Sequence, residues 1–180
     1  MKTDYVKIAR EAIEEYIKSK KVKDFPEYKN VTQKSGAFVS IYKKSNKRPE
    51  MSDKKLELRS CIGTFLPTQK NVILEIIKNA ISAATTDYRF NPITLEELPN
   101  LCYSVDILKA PKLVKNIKEL DPKKYGIIVR CGTRTGLLLP DLDDVDKTEQ
   151  QIWITCQKAG IDPRKEKIEL YKFLVDRYKE

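Results

Sequence analysis

Histidine is absent from this 180-residue chain. That removes the Ser-His-Asp and Cys-His routes to an activated nucleophile, histidine general bases and histidine metal ligands. Any proton transfer here falls to carboxylates, lysine, tyrosine, a thiol or a bound group. Cysteine is scarce as well. The four thiols, at 61, 102, 131 and 156, form no C-x-x-C pair and no zinc spacing. There are only six glycines, arranged in neither a P-loop nor a dinucleotide fingerprint. No run approaches the roughly 20 apolar residues that cross a bilayer, and the first residues hold no apolar signal core. These absences point to a cytoplasmic protein without a membrane span, with its cysteines as free thiols.

What is present is charge. Net charge is +9 and 34% of residues are charged. Lys18, Lys20, Lys21 and Lys23 cluster, as do Lys43, Lys44, Lys47 and Arg48. They suit either attraction to nucleic acid or a lysine-rich soluble surface. No aromatics interleave with them, and they fall in expected loops. The run Asp141, Asp143, Asp144, Asp146 lacks the glycine and glutamate of a calcium loop, so no metal site is expected.

Periodicity sets the outline. An amphipathic helix is expected over 3–19, a strand over 37–42, a polar loop over 43–55 and a strand over 56–65. A second helix spans 70–85, with Thr68 as its cap. Thr94 and Glu97 form a capping-box pattern opening about one helical turn. Strands follow over 101–108, 125–131 and 136–140, the last two joined by a hairpin. Asp146 and Glu149 read as a capping box for a helix ending near Gly160. Trp153, Tyr171 and Phe173 read as core, and 167–178 as a strand. The sum is an α+β fold, a mainly antiparallel sheet flanked by helices, in a single domain over 1–180 of two lobes sharing one core.

The segment Leu58-Arg59-Ser60-Cys61-Ile62-Gly63-Thr64-Phe65 carries the chemistry. On a regular strand Arg59, Cys61 and Gly63 share a face, and Leu58, Ser60, Ile62 and Thr64 take the core side. A guanidinium beside a thiol would depress its pKa or hold an anion, and Gly63 would leave room above the backbone. The alternative is a cysteine acting as a small buried hydrophobe. Arg59, Arg89 and Arg134 would bind a carboxylate or phosphate if they converge. Otherwise they pair structurally, Arg89 most obviously with Asp87.

Several segments together resemble the AMMECR domain family. Residues 58–65 resemble its L-R-G-C-I-G-T signature, Asp87-Tyr88-Arg89-Phe90 its D-P-R-F segment and 101–108 its S-V-x-V-L strand. Residues 134–140 resemble R-x-G-L-L-L-P, and 158–161 resemble K-A-G-[IL]. Two positions depart: Ser60 replaces the usual glycine and Tyr88 the usual proline. Residues 120–126, 139–142 and 145–146 are similar to the prokaryotic branch called protein A of the AmmeMemoRadiSam system. The resemblance implies a larger sheet-bearing lobe with a smaller one, and partnership with Memo-type and radical-SAM proteins. It brings no reaction or cofactor. Two functions remain open. One is an enzyme or enzyme subunit for a small anion, with Cys61 as nucleophile or pocket wall and Arg59, Gly63, Asp87, Arg89 and Arg134 around the ligand. The other is a non-catalytic protein- or RNA-binding adaptor.

Overall fold

A computed structural model describes residues 3–44 and 56–180. In chain order the helices and strands are α1 (Tyr5–Ser19), β1 (Ala37–Lys44), β2 (Leu56–Thr64), α2 (Val72–Thr85), β3 (Leu101–Leu108), β4 (Lys112–Leu113), β5 (Gly126–Cys131), β6 (Arg134–Leu138), α3 (Thr148–Lys158), β7 (Glu169–Phe173) and β8 (Val175–Lys179). The fold is α+β, with two antiparallel sheets. It divides into two units, Met1–Ile107 with Arg177–Glu180, and Leu108–Asp176. Among the described residues no helix is long and apolar enough to cross a membrane.

In the first unit the sheet order is β2-β1-β3-β8. Alternation along β1 and β3 decides which face is apolar. Ala37, Val39 and Ile41, with Leu101, Tyr103, Val105 and Ile107, are buried in one cluster with α1 and α2. Asp4 caps α1 by accepting from the Lys7 N–H at 3.0 Å, and Lys20 ends the helix at φ 60°. The stripe Ile8, Ala9, Ala12 and Ile13 supplies the helix's buried face. α2 buries a broader apolar band, and Ile76 sits fully inside it. Truncating Ile76 to alanine would cost about 3 kcal/mol through lost burial and the cavity left behind.

In the second unit the sheet order is β4-β7-β5-β6. Ile127, Val129, Leu138, Ile152, Cys156 and Ile161 form its separate apolar cluster. The β5–β6 hairpin closes between Cys131 and Arg134, with Gly132 at φ 58°, where a side chain would be strained.

Several sequence expectations are corrected. Thr68 does not cap α2. Asn71 does, accepting from the Leu74 N–H at 3.0 Å, because the Thr68 hydroxyl and N–H are both engaged by Glu75. Asp146 does not cap α3 either. It pairs with Lys123, and Lys147 takes the cap position without a side-chain bond. Trp153 is 41% exposed and carries Arg164 5.2 Å from its ring centre, so it is not core. The expected C-terminal strand is two strands, β7 and β8. Thr94 and Glu97 keep half of their box, the Thr94 N–H donating to Glu97 at 3.1 Å, and a 3₁₀ turn at Leu98–Asn100 follows. Of the expected loop over 43–55, Lys43 and Lys44 extend β1, and residues 45–55 lie outside the described residues.

Candidate functional site

β2 is an edge strand, and its regular alternation fails at one place. Ile41 pairs with Ser60 but Tyr42 pairs with Leu58, which leaves Arg59 as the extra residue of a bulge. Ser60 is therefore buried while Leu58 is exposed, although both belonged to one expected core face. This overturns the premise that Arg59 and Cys61 project together. Arg59 turns to Glu97, donating at 2.8 and 3.1 Å, and to the Asn91 carbonyl at 2.9 Å.

The guanidinium that does reach Cys61 belongs to Arg89, and it reaches the backbone. Arg89 Nη2 donates to the Cys61 carbonyl at 3.0 Å, and the Cys61 N–H donates to Asp87 Oδ2 at 2.9 Å. The Asp87–Arg89 pair thus occupies both backbone groups that an edge strand leaves open at this residue. Asp87 is buried, and it also accepts from Arg89 Nε at 2.9 Å, Arg89 Nη2 at 2.7 Å and the Ser60 hydroxyl at 3.2 Å. Bonding from Arg89, reinforced by the Cys61 and Arg89 N–H groups, outweighs burial and holds the Asp87 carboxyl well below the usual carboxylate range. Ser60 faces inward. Its one hydroxyl hydrogen is shared between Asp87 and the Ala83 carbonyl of α2.

Cys61 itself is half-buried. Its sulfur accepts from the Ser40 hydroxyl at 3.2 Å. Burial pushes its thiol pKa up, and the opposing pull from Ser40 and Arg89 is smaller. The expected depression of the thiol pKa by Arg59 is not found. Nor does Gly63 open room for a ligand. A side chain there would collide with the Phe38 ring, which fills that space.

A second buried carboxylate organises the other end of β2. Glu75, inside α2, accepts from the Thr64 hydroxyl at 2.6 Å, the Thr68 N–H at 2.6 Å, the Gln69 N–H at 2.7 Å and the Thr68 hydroxyl at 3.0 Å. These bonds outweigh the cost of burial and lower its pKa. Asn79 joins the network, donating to the Ala37 carbonyl at 2.9 Å and Thr64 at 3.2 Å. Two buried anions therefore each fix a loop: Glu75 the 65–69 segment and Asp87 the 87–92 turn. These loops display apolar side chains to solvent. Tyr88 is 94% exposed and Leu66 54%, and Phe65 is exposed beside it.

Arg59 and Arg89 come together around Phe90, their guanidinium carbons 6.0 and 5.4 Å from its ring centre. Arg134 belongs to the second unit, where it pairs with Glu166 and donates to the Gly160 carbonyl at 2.5 Å. The first unit thus assembles Arg59, Cys61, Gly63, Asp87 and Arg89. Sequence reasoning missed Ser40, Glu75 and Asp106, and read Glu97 only as part of a capping box. Asp106 is buried and held bidentately by Arg177 at 2.8 and 3.1 Å. A signal for Ser40 and Asp106 existed: each is a polar residue at the alternate positions of an otherwise apolar strand.

The two sheets, their helices and the Cys61 motif on an edge strand define a class of α+β proteins with a signature strand clamped by an Asp-x-Arg turn. The AMMECR1 family model matches residues 6–178, and the chain belongs to that family. A Thermotoga maritima protein is 46% identical over 179 residues, with 97% of each chain covered. Clostridium acetobutylicum protein CA_C1420 is 40% identical over 185 residues, which are 99% of this chain and 36% of that one. The crystal structure of the uncharacterised protein PH0010 from Pyrococcus horikoshii matches with a TM-score of 0.83 at 34% identity. It covers 98% of this chain and 89% of that one.

Proposed function

We propose that β2 and the two loops fixed to it form a protein-docking surface, and that the chain acts as a binding module and not as a catalyst. The observation that carries this is where the polar groups are spent. Both motif guanidiniums are already bonded to carboxylates and carbonyls, and the Cys61 thiol is shifted away from its reactive form. An anion entering at Arg59 or Arg89 would have to displace Glu97 or Asp87. What faces water is instead a set of apolar side chains on loops that buried anions hold in place. Such preorganisation lowers the ordering cost of association, and exposed aromatic anchors are the usual centres of binding energy.

The partners proposed are the Memo-type and radical-SAM proteins suggested by the family resemblance, in the cytoplasm. A relative in which the matching stretch is 36% of a longer chain supports joint action with another domain. Co-purification from cells expressing all three proteins tests this. Tyr88→Ala combined with Phe65→Ala is expected to weaken capture about thirtyfold, the size of a typical hot-spot loss. Undiminished capture by that double variant rejects the surface. If Cys61→Ser alone abolished a turnover assay on a small acid, the enzyme reading would replace this one.

A further inference from the structure

We infer that the first unit carries a second, separate docking groove, which takes an acidic protein segment through an apolar anchor. The groove lies between the 20–29 connection after α1 and the first turns of α2. Its volume is about 410 Å³, within the range of sites that hold a few side chains.

Its walls come from the local geometry of the chain after α1. Lys20 reverses the chain at the end of α1, and the Phe25 N–H bonds to Asp24 at 2.9 Å. A 3₁₀ turn at Pro26–Tyr28 follows, and the segment and the start of α2 line the groove together. Val22, Phe25, Tyr28, Ile73, Leu74 and Ile77 supply the apolar lining. Two of these are left open to water: Val22 is 63% exposed and Leu74 41%. Leu74 is an exposed leucine on a helix whose neighbours Ile73, Ile76 and Ile77 are all buried. An apolar segment laid across the groove would cover both.

The rim fixes the sign of the partner. Lys23, Lys29 and Lys70 line it against the single acid Asp24. Lys23 is held by Glu11 at 2.9 Å. Lys29 and Lys70 are exposed, and among the described residues no bond or ion pair engages either ammonium. The positive end of the α2 dipole begins at the same place, at Asn71. Two unengaged cations beside an open apolar floor complement an acidic segment bearing a leucine or phenylalanine.

The floor favours a peptide over nucleic acid. Sequence-independent binding of single strands needs open aromatic faces for stacking. Phe25 is buried and Tyr28 half-buried, so the groove presents aliphatic edges instead.

The experiment uses the full chain and a short fluorescein-labelled peptide of Asp and Glu around one Leu-Phe pair, read by anisotropy. Saturable binding is expected. Lys29→Glu combined with Lys70→Glu should weaken it at least about tenfold at low salt, since unscreened rim charges set such attraction. Leu74→Ser should remove the binding that survives high salt. Replacing Leu-Phe in the peptide by Ser-Gly should have the same effect. Circular dichroism of these surface variants checks that they stay folded. Tyr88→Ala should leave this binding unchanged, which separates a failure here from a failure of the β2 surface. The inference is overturned if the charge-reversed variant binds as tightly as the wild type. It is also overturned if the Ser-Gly peptide, or a single-stranded RNA of equal charge, binds as well as the Leu-Phe peptide.

Discussion

Each unit contains a cysteine, an arginine and a carboxylate in contact, and the two sets are wired differently. In the first unit Arg89 and Asp87 bond to the Cys61 backbone, and the sulfur is left to Ser40. In the second unit Arg134 Nη2 lies 3.8 Å from the Cys131 sulfur, and that thiol donates to Glu166 Oε2 at 3.7 Å. The Asp87 side chain is 2% exposed, against 28% for Glu166. The same three residue types therefore perform two tasks. A buried carboxylate closing an edge strand is structural, because removing it leaves the part-buried Cys61 N–H without an acceptor. A solvated ion pair lying on a sulfur adds little stability but sets the charge that the thiol meets.

The largest expected effect breaks the first set. Asp87→Ala should lower stability by about 2 kcal/mol in urea unfolding, because it leaves the part-buried Cys61 N–H without its acceptor and unties the half-exposed Arg89. Glu166→Ala should produce no measurable change in Tm. A reversed order would erase the contrast. The pH dependence follows the same line. The Asp87 pKa is lowered on folding, so its contribution is complete above its unfolded value near ~3.9 and is lost as pH falls through the lower folded value. Asp87→Asn should therefore flatten the acid limb of the stability curve, and an unchanged limb would show that another carboxylate governs it.

A smaller effect sharpens the comparison at sulfur. Iodoacetamide at neutral pH, with peptide mapping, should label Cys131 before Cys61, since burial raises the Cys61 thiol, whereas the Arg134 guanidinium lies 3.8 Å from the Cys131 sulfur. Arg134→Gln should slow labelling of Cys131 and leave that of Cys61 unchanged. Labelling of Cys61 first would mean that contact with the backbone activates a thiol as well as contact with the sulfur.

The smallest effect concerns Ser60. Replacing it by glycine removes its bonding to Ala83 and Asp87 and should cost about 1 kcal/mol, the usual net worth of such bonding. A stabilised Ser60→Gly variant would show that the inward hydroxyl is a strain and not a support.

Much of the fold was legible in the residues. The 3.6-residue stripe of Ile8, Ala9, Ala12 and Ile13 and the alternation of Leu101, Tyr103, Val105 and Ile107 specify their elements locally, because burial of one face follows from spacing alone. The Asp87–Arg89 pairing was read from the sequence as well, since a single residue separates the partners. The two failed capping assignments have a common cause. Thr68 and Asp146 suit caps by type, but each meets a competing charged partner, Glu75 or Lys123, that the local pattern does not reveal.

The main helices and strands, the apolar faces of α1, α2, β1 and β3, and the membership of the signature strand were determined by the sequence itself, through periodicities that act over one or two turns. Only the tertiary structure decided which way Arg59 points, which arginine meets Cys61 and what fills the space above Gly63. A one-residue bulge reverses the facing of a strand. The partners Glu97, Phe38 and Arg89 are brought in from 25 to 38 positions away, a range over which no periodic signal survives.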